Sequence, residues 1–120
     1  MRRRFLRSKI HRVRLDQTNR DYEGSITLPP SLLKAADIAE FEQVAVLDVD
    51  NGARFETYAI AGADDQVCVN GAAAHLVSSG DLLIVMSFVD LDEDEMKAHR
   101  PTIVLVDRDN RPYPMGTGSE

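Results

Sequence analysis

Apolar and polar positions alternate unevenly along the first part of the chain. Phe5, Val13 and Leu15 share one parity with Arg7, Lys9 and His11, and Leu6 and Ile10 lie on the other. Successive side chains of a strand face opposite ways, so residues 5–15 predict a strand with one mixed face. Residues 22–28 predict a second strand, ended by Pro29-Pro30. Pro30 can open a helix at its first position, and residues 31–36 predict that short helix. Residues 44–49 alternate into Asn51-Gly52 and residues 54–60 follow, which predicts a hairpin with a type I′ turn. Residues 67–69 predict a short strand. The nearly continuous apolar run 82–88 predicts a strand buried on both faces. Residues 92–98 predict one or two acidic helical turns, and 103–106 a last strand. From about residue 107 the chain turns polar, with Pro and Gly, and predicts a disordered tail. Many short strands and little helix predict a mainly β domain closed into a small barrel, since closure removes exposed edges.

Size and charge narrow the classes. At 120 residues the chain forms one domain, with a core small for its surface, so oligomerisation would help it. No apolar run approaches a membrane span, and the start of the chain lacks the long apolar stretch of a secretory signal. One cysteine, Cys68, excludes an intrachain disulfide framework and fits a reducing cytoplasm. As a side chain it reads as a small apolar core residue. The net charge of -6 hides an asymmetry: residues 1–20 sum to +7 and the remaining hundred to -13. A basic segment beside an acidic body fits nucleic acid, packing of that segment on the body, or a cationic wall for an anionic ligand.

The dipeptide Gly24-Ser25 carries the candidate chemistry. Glycine leaves its carbonyl unshielded. The serine hydroxyl is already beside that carbonyl, so attack is intramolecular. An N-to-O acyl shift gives an ester, elimination gives dehydroalanine, and hydrolysis leaves a pyruvoyl group on a new N-terminus. As a bare dipeptide it also suits a turn or a strand edge, and it recurs as Gly118-Ser119.

Its surroundings resemble the pyruvoyl-dependent aspartate 1-decarboxylases. The matching stretches are Lys9-Ile10-His11-Arg12-Val13, Tyr22-Glu23-Gly24-Ser25, the run from Asn51-Gly52 through Arg54-Phe55-Glu56-Thr57-Tyr58 to Ile60, and Val69-Asn70-Gly71-Ala72-Ala73-Ala74-His75, in the expected order, as far as about Pro101. The resemblance implies a six-stranded double-psi β-barrel and a homotetramer with active sites between subunits. It implies cleavage after Gly24 into a short chain of residues 1–24 and a long chain of residues 25–120 that begins with pyruvoyl. The implied reaction converts L-aspartate to β-alanine and carbon dioxide, for pantothenate synthesis. Ser25 would become the pyruvoyl group that forms a Schiff base with substrate, with no metal, no nucleic acid and no membrane.

Loss of an α-carboxylate leaves a carbanion, so an electron sink is needed, and the protein adds position and electrostatics. Arg54 can clamp a carboxylate bidentately, and Lys9 is a second cation. Two cations suit a dicarboxylate. The resemblance makes Tyr58 the proton donor to the carbanion and gives Thr57 a part in cleavage and in substrate contact. Adjacent residues of a strand face opposite ways, so both serve one site only if the backbone bends there or Thr57 acts in the precursor. The resemblance also sets substrate against Gly71, Ala72 and Ala73. Asn70 suits a helix cap. His11 and Tyr22 match positions near the family's site, as supporting residues. The histidines have no metal-ligand spacing.

An alternative starts from residues 26–38. This strand-proline-helix stretch is similar to the core of swapped-hairpin DNA-binding transcription factors of the AbrB type. With the basic arm Arg2-Arg3-Arg4 it gives a reading in which phosphate contacts dominate. The acidic body and the motifs of the second half count against it.

Overall fold

A computed structural model describes residues 1–63 and 65–113. In chain order the elements are β1 (Arg3–Arg14), β2 (Gln17–Asn19), β3 (Ser25–Leu28), α1 (Pro30–Ala36), β4 (Gln43–Asp48), β5 (Arg54–Ala61), β6 (Cys68–Asn70), a 3₁₀ helix (Gly71–Leu76), β7 (Leu82–Leu91), α2 (Glu93–Lys97) and β8 (Thr102–Leu105). The strands are hydrogen-bonded in the order β2-β6-β3-β5-β4-β7-β1-β8. The pairs β1/β8, β2/β6 and β3/β5 are parallel and the others antiparallel. One core cluster draws buried residues from β1, β3, β4, β5, β6, β7, β8 and α1, among them Ile10, Ile26, Leu32, Val46, Ala59, Val69, Val85 and Val104. The sheet therefore curls around a single interior. The class is mainly β with short helices, a small barrel-like domain. The described residues form eight strands rather than six, with β2 and β8 at the two ends of the order.

The uneven alternation of β1 has a physical origin. Its register against β7 slips between Leu6 and Ser8 and again between Ile10 and Val13. Arg12 sits at φ +68° within the second slip. A bulge of this kind inserts a residue and turns the strand. Ile10 and Val13 consequently both face the core, although their parities differ.

Three expectations need correction. β7 is buried on one face only: Leu83, Val85 and Ser87 are buried, while Leu82, Ile84 and Met86 are half-buried on the other. Asn51-Gly52 is not a two-residue type I′ turn. Gly52 has positive φ but Asn51 does not, and the β4/β5 ladder ends at Leu47 and Arg54. Asp48 spends one carboxylate oxygen on the amides of Asp50 and Asn51, and this favours a wider loop. The tail expected from residue 107 is ordered as far as Tyr113. Asn110 is buried and pairs through its side chain with both backbone groups of Arg14. Residues 114–120 lie outside the described residues.

Helix α1 begins at Pro30 as expected and ends at Asp37, which is left-handed and returns its N–H to the carbonyls of Leu33 and Lys34. Asp92 and Glu95 form a reciprocal capping box at the start of α2. Several arginines of the basic segment meet the acidic body: Arg4 pairs with Asp90 at 3.2 Å, Arg7 with Glu42, and Arg2 donates to the Asp90 carbonyl.

Candidate active site

Strands β3 and β6 build the polar centre of the molecule. Their antiparallel register sets Ser25 opposite Asn70 and Thr27 opposite Cys68, with Ile26 and Val69 turned to the core between them. Four polar side chains thus share the face away from the core. The Asn70 amide donates to Ser25 Oγ at 2.9 Å and to Thr27 Oγ1 at 3.0 Å. Ser25 Oγ donates to the Glu23 carbonyl at 3.2 Å, back toward the residue before Gly24. Ser25 is 1% exposed and Asn70 3%. Asn70 occupies the cap position of the 3₁₀ helix but makes no capping bond. Its side chain is spent on the two hydroxyls.

Gly71 explains why glycine follows Asn70. Its φ is +79°, and a Cβ there would lie 2.5 Å from Gly24 Cα and 2.8 Å from Gly24 N. Both the backbone angle and the contact exclude a side chain. The Gly24-Ser25 bond therefore rests directly on the Asn70-Gly71 turn. Beside it opens a cavity of about 380 Å³, lined by Tyr22, Thr27, Ile60, Gln66, Cys68 and Asn70 among others. Ala72 is exposed, and Ala73 packs against the core.

Strand β5 runs parallel to β3 with Ile26 opposite Ala59. One step back, still within both strands, the same register leads to Ser25 and Tyr58, while Gly24 precedes β3. Tyr58 is half-buried on the face away from the core, and its ring lies 6.1 Å from that of Phe41. Thr57 pairs with Val44 on the core side. The β4/β5 ladder shows no slip between them, so no bend brings both side chains to one face. Arg54 is exposed four residues before Tyr58 on the outer side.

Lys9 and His11 are not at this corner. They line a hollow of about 310 Å³ with Ile103 and Leu105. Lys9 lies opposite Met86, Met86 opposite Ala45, and Ala45 opposite Glu56. Three strand spacings, about 14 Å, therefore separate Lys9 from β5. One protomer assembles Ser25, Thr27, Asn70, Gly71 and, by register, Tyr58, and holds Lys9 and His11 apart from them. His11 has a buried Nδ1 with no partner. Desolvation, then Lys9 and Arg12, push its pKa below the usual imidazole value. His75 is exposed, and His99 bonds the Leu6 carbonyl at 2.8 Å.

A second cluster lies at the β4–β5 loop, where carboxylate oxygens of Asp48, Asp50 and Asp81 come within 4.8 Å of one another. Asp48 is 2% exposed, and its Oδ2 has no partner. Burial and then the neighbouring Asp81 carboxyl push its pKa above the ordinary carboxylate value, and Asp81 is pulled below it. Sequence reasoning missed this pair, and it missed Thr27 and Cys68. The i, i+2 spacing of Ser25 with Thr27 and of Cys68 with Asn70 was the available signal.

Fold and site together define a small, mainly β protein whose polar centre is built around one Gly-Ser peptide bond. A family model described as aspartate decarboxylase matches residues 1–113. The aspartate 1-decarboxylase of Syntrophobacter fumaroxidans is 50% identical over 118 residues, covering 97% of this chain and 95% of that protein. That of Legionella pneumophila strain Lens is 54% identical over 111 residues, covering 91% and 84%. That of Myxococcus xanthus is 49% identical over 116 residues, covering 95% and 89%. The chain belongs to the aspartate decarboxylase family. The match extends beyond Pro101, where the sequence resemblance had stopped.

Proposed function

We propose that this chain is an enzyme that decarboxylates L-aspartate to β-alanine and carbon dioxide, using a pyruvoyl group made from its own Ser25, and so serves pantothenate synthesis. The observation that carries this reading is the seat of the Gly24-Ser25 bond: Ser25 Oγ held by Asn70, and Gly24 against a Gly71 with no room for a Cβ. That cradle fits a small group at position 25 beside the cavity.

Self-cleavage uses residues of this corner. Ser25 Oγ attacks the Gly24 carbonyl carbon, its proton passes to the Ser25 nitrogen, the Gly24–Ser25 C–N bond breaks, and an ester with a free Ser25 amine forms. Thr57 acts on the Gly24 oxyanion in the precursor, and the Asn70 N–H faces Oγ, where charge develops when the ester is later eliminated. A preorganised donor of this kind is worth roughly 10²–10³ in rate. Loss of the Ser25 Cα proton expels the Gly24 carboxylate, and water then releases ammonia. The products are residues 1–24 and residues 25–120.

The pyruvoyl group supplies an electron sink for the bond to the α-carboxylate. Arg54 and Lys9 bind the two carboxylates of aspartate, with the backbone and small side chains of Gly71, Ala72 and Ala73 against the ligand. Tyr58 holds the proton delivered to Cα once carbon dioxide has left. His11 and Tyr22 support the site. No metal takes part.

The functional unit is a homotetramer of processed protomers with sites between subunits. Two features support this. Lys9 lies three strand spacings, about 14 Å along the sheet, from β5 in one chain. Between them the outer sheet face carries half-buried Ala45, Leu47, Ile84 and Met86, an apolar patch that a second copy can cover. No helix of the described residues is long and apolar enough to cross a membrane, and we place the enzyme in the cytoplasm. Its partner is a small molecule rather than nucleic acid, since the ion pairs of Arg4 and Arg7 bind the basic segment to the body. The test is β-alanine release from L-aspartate by matured wild type and Tyr58→Phe. Wild type should turn over. Tyr58→Phe should mature but lose turnover and accumulate a modified long chain, through misplaced protonation. Normal turnover by Tyr58→Phe would remove the hydroxyl from the reaction.

A further inference from the structure

We propose that Cys68 is a positioning residue for self-cleavage: its thiol fixes the orientation of the Asn70 carboxamide that holds Ser25. The inference rests on the self-cleavage reading above. A carboxamide has two nearly isosteric ends, an acceptor oxygen and a donor nitrogen. At Asn70 the two ends meet different neighbours. Cys68 Sγ lies 3.1 Å from Oδ1, while Nδ2 faces Ser25 Oγ and Thr27 Oγ1. Each N–H thus serves one hydroxyl, and the thiol hydrogen serves the oxygen.

The orientation matters for Ser25. With the nitrogen toward it, Oγ accepts from Asn70 and turns its own hydrogen to the Glu23 carbonyl at 3.2 Å. When the ester's Cβ–Oγ bond breaks on elimination, the negative charge that develops on Oγ meets a donor already in place. With the amide reversed, the oxygen would accept from Ser25, the hydroxyl would turn off Glu23, and developing charge would face a carbonyl oxygen. A hydroxyl can donate or accept, so Ser25 and Thr27 fit either orientation. The thiol is a weak donor and a weak acceptor, but at 3.1 Å the contact suits S–H···O and is too short for the N–H···S contact that a reversed amide would make, so Cys68 discriminates between the two. The network is largely buried: Cys68 is 8% exposed, Asn70 3% and Ser25 1%, and a buried, unmatched amide end is costly. Burial, and then Asp16, push the Cys68 thiol pKa up, which keeps the hydrogen on sulfur at neutral pH.

The test follows the first-order conversion of freshly made precursor into residues 1–24 and 25–120 by intact mass. Cys68→Val fills the site without a donor and should slow cleavage by about 5- to 30-fold, or about 1–2 kcal/mol at 1.4 kcal/mol per tenfold. Cys68→Ser keeps a donor and should return the rate to within about threefold of wild type. In an Asn70→Ala background, Cys68→Val should change nothing further, because no carboxamide remains to be oriented. Melting temperatures separate folding from cleavage, and a purely packing role would make Val the better replacement and Ser the worse. Equal rates for Val and Ser, or a full Val effect on top of Asn70→Ala, would overturn the inference and leave self-cleavage standing. A wild-type precursor that stays intact would overturn both.

Discussion

The two ends of the outer sheet face differ in how much of the chemistry one chain builds. At the β3/β6 corner Ser25, Thr27, Cys68 and Asn70 are closed into a satisfied hydrogen-bond network within a single protomer. At the β1/β8 end Lys9 and His11 face a hollow with Ile103 and Leu105, and His11 Nδ1 is buried without a partner. Arg54 stands exposed between the two. The difference separates two tasks. Breaking the Gly24-Ser25 bond needs atoms that strand register brings together. In the proposed reaction, binding a dicarboxylate needs cations that the same register keeps apart, a task the proposed assembly would take on.

Substitutions at the two ends should therefore fail differently. Ser25→Ala should abolish cleavage outright and leave one intact chain, the largest effect expected. Gly71→Ala should follow. A Cβ forced to within 2.5 Å of Gly24 Cα at positive φ costs roughly 1–3 kcal/mol of strain and displaces the scissile bond. Cleavage measured by gel should slow about tenfold or more, while Arg54 keeps its place.

At the other end the pattern should invert. Arg54→Lys should cleave at the wild-type rate, because Arg54 is exposed and no hydrogen bond among the described residues joins it to the Ser25 corner. Its kcat/KM for aspartate should fall about 10- to 100-fold, since charged hydrogen bonds are worth about 1.5–3 kcal/mol and an ammonium lacks the fork. Steady-state kinetics on fully matured protein checks this. Slow cleavage by Arg54→Lys would erase the distinction between the two ends.

The smallest effect belongs to neither end. Asp48 holds its proton more tightly in the folded state, chiefly through burial and then through Asp81. An acid with a raised folded pKa loses stabilisation as pH rises through the range between its ordinary and raised values. The lowered value of Asp81 acts oppositely, below the ordinary carboxylate range. Asp48→Asn keeps the oxygen that accepts from Asp50 and Asn51 and offers Asp81 a donor. Thermal melts should show a rise of a few degrees at pH 7 that vanishes on acidification below the carboxylate range, with cleavage and turnover unchanged.

What could be read from the sequence was local. Pro30 opens α1, the acidic run 92–98 marks α2, and Tyr22-Glu23-Gly24-Ser25 and Asn70-Gly71 announce themselves as contiguous motifs. What escaped depends on partners distant in the chain. The irregular β1 pattern comes from bulges that only the β7 register reveals, one of them at Arg12 with φ +68°. Asn51-Gly52 looked like a tight turn because Asp48, three residues earlier, had not been weighed as an acceptor. Cys68 read as a core residue because nothing local shows that β6 places it against Asn70. The distance between Lys9 and β5 is a product of three ladders and has no signature in either motif.

The central claim is that the corner around Ser25 cuts its own chain and leaves a ketone, and intact-mass measurement of purified wild-type protein under denaturing conditions tests it most directly. The account predicts two species: residues 1–24 with a free carboxylate, and residues 25–120 lighter by one ammonia than a chain beginning with serine. A single intact chain that releases β-alanine from aspartate, or a long fragment that begins with unmodified serine, would contradict it.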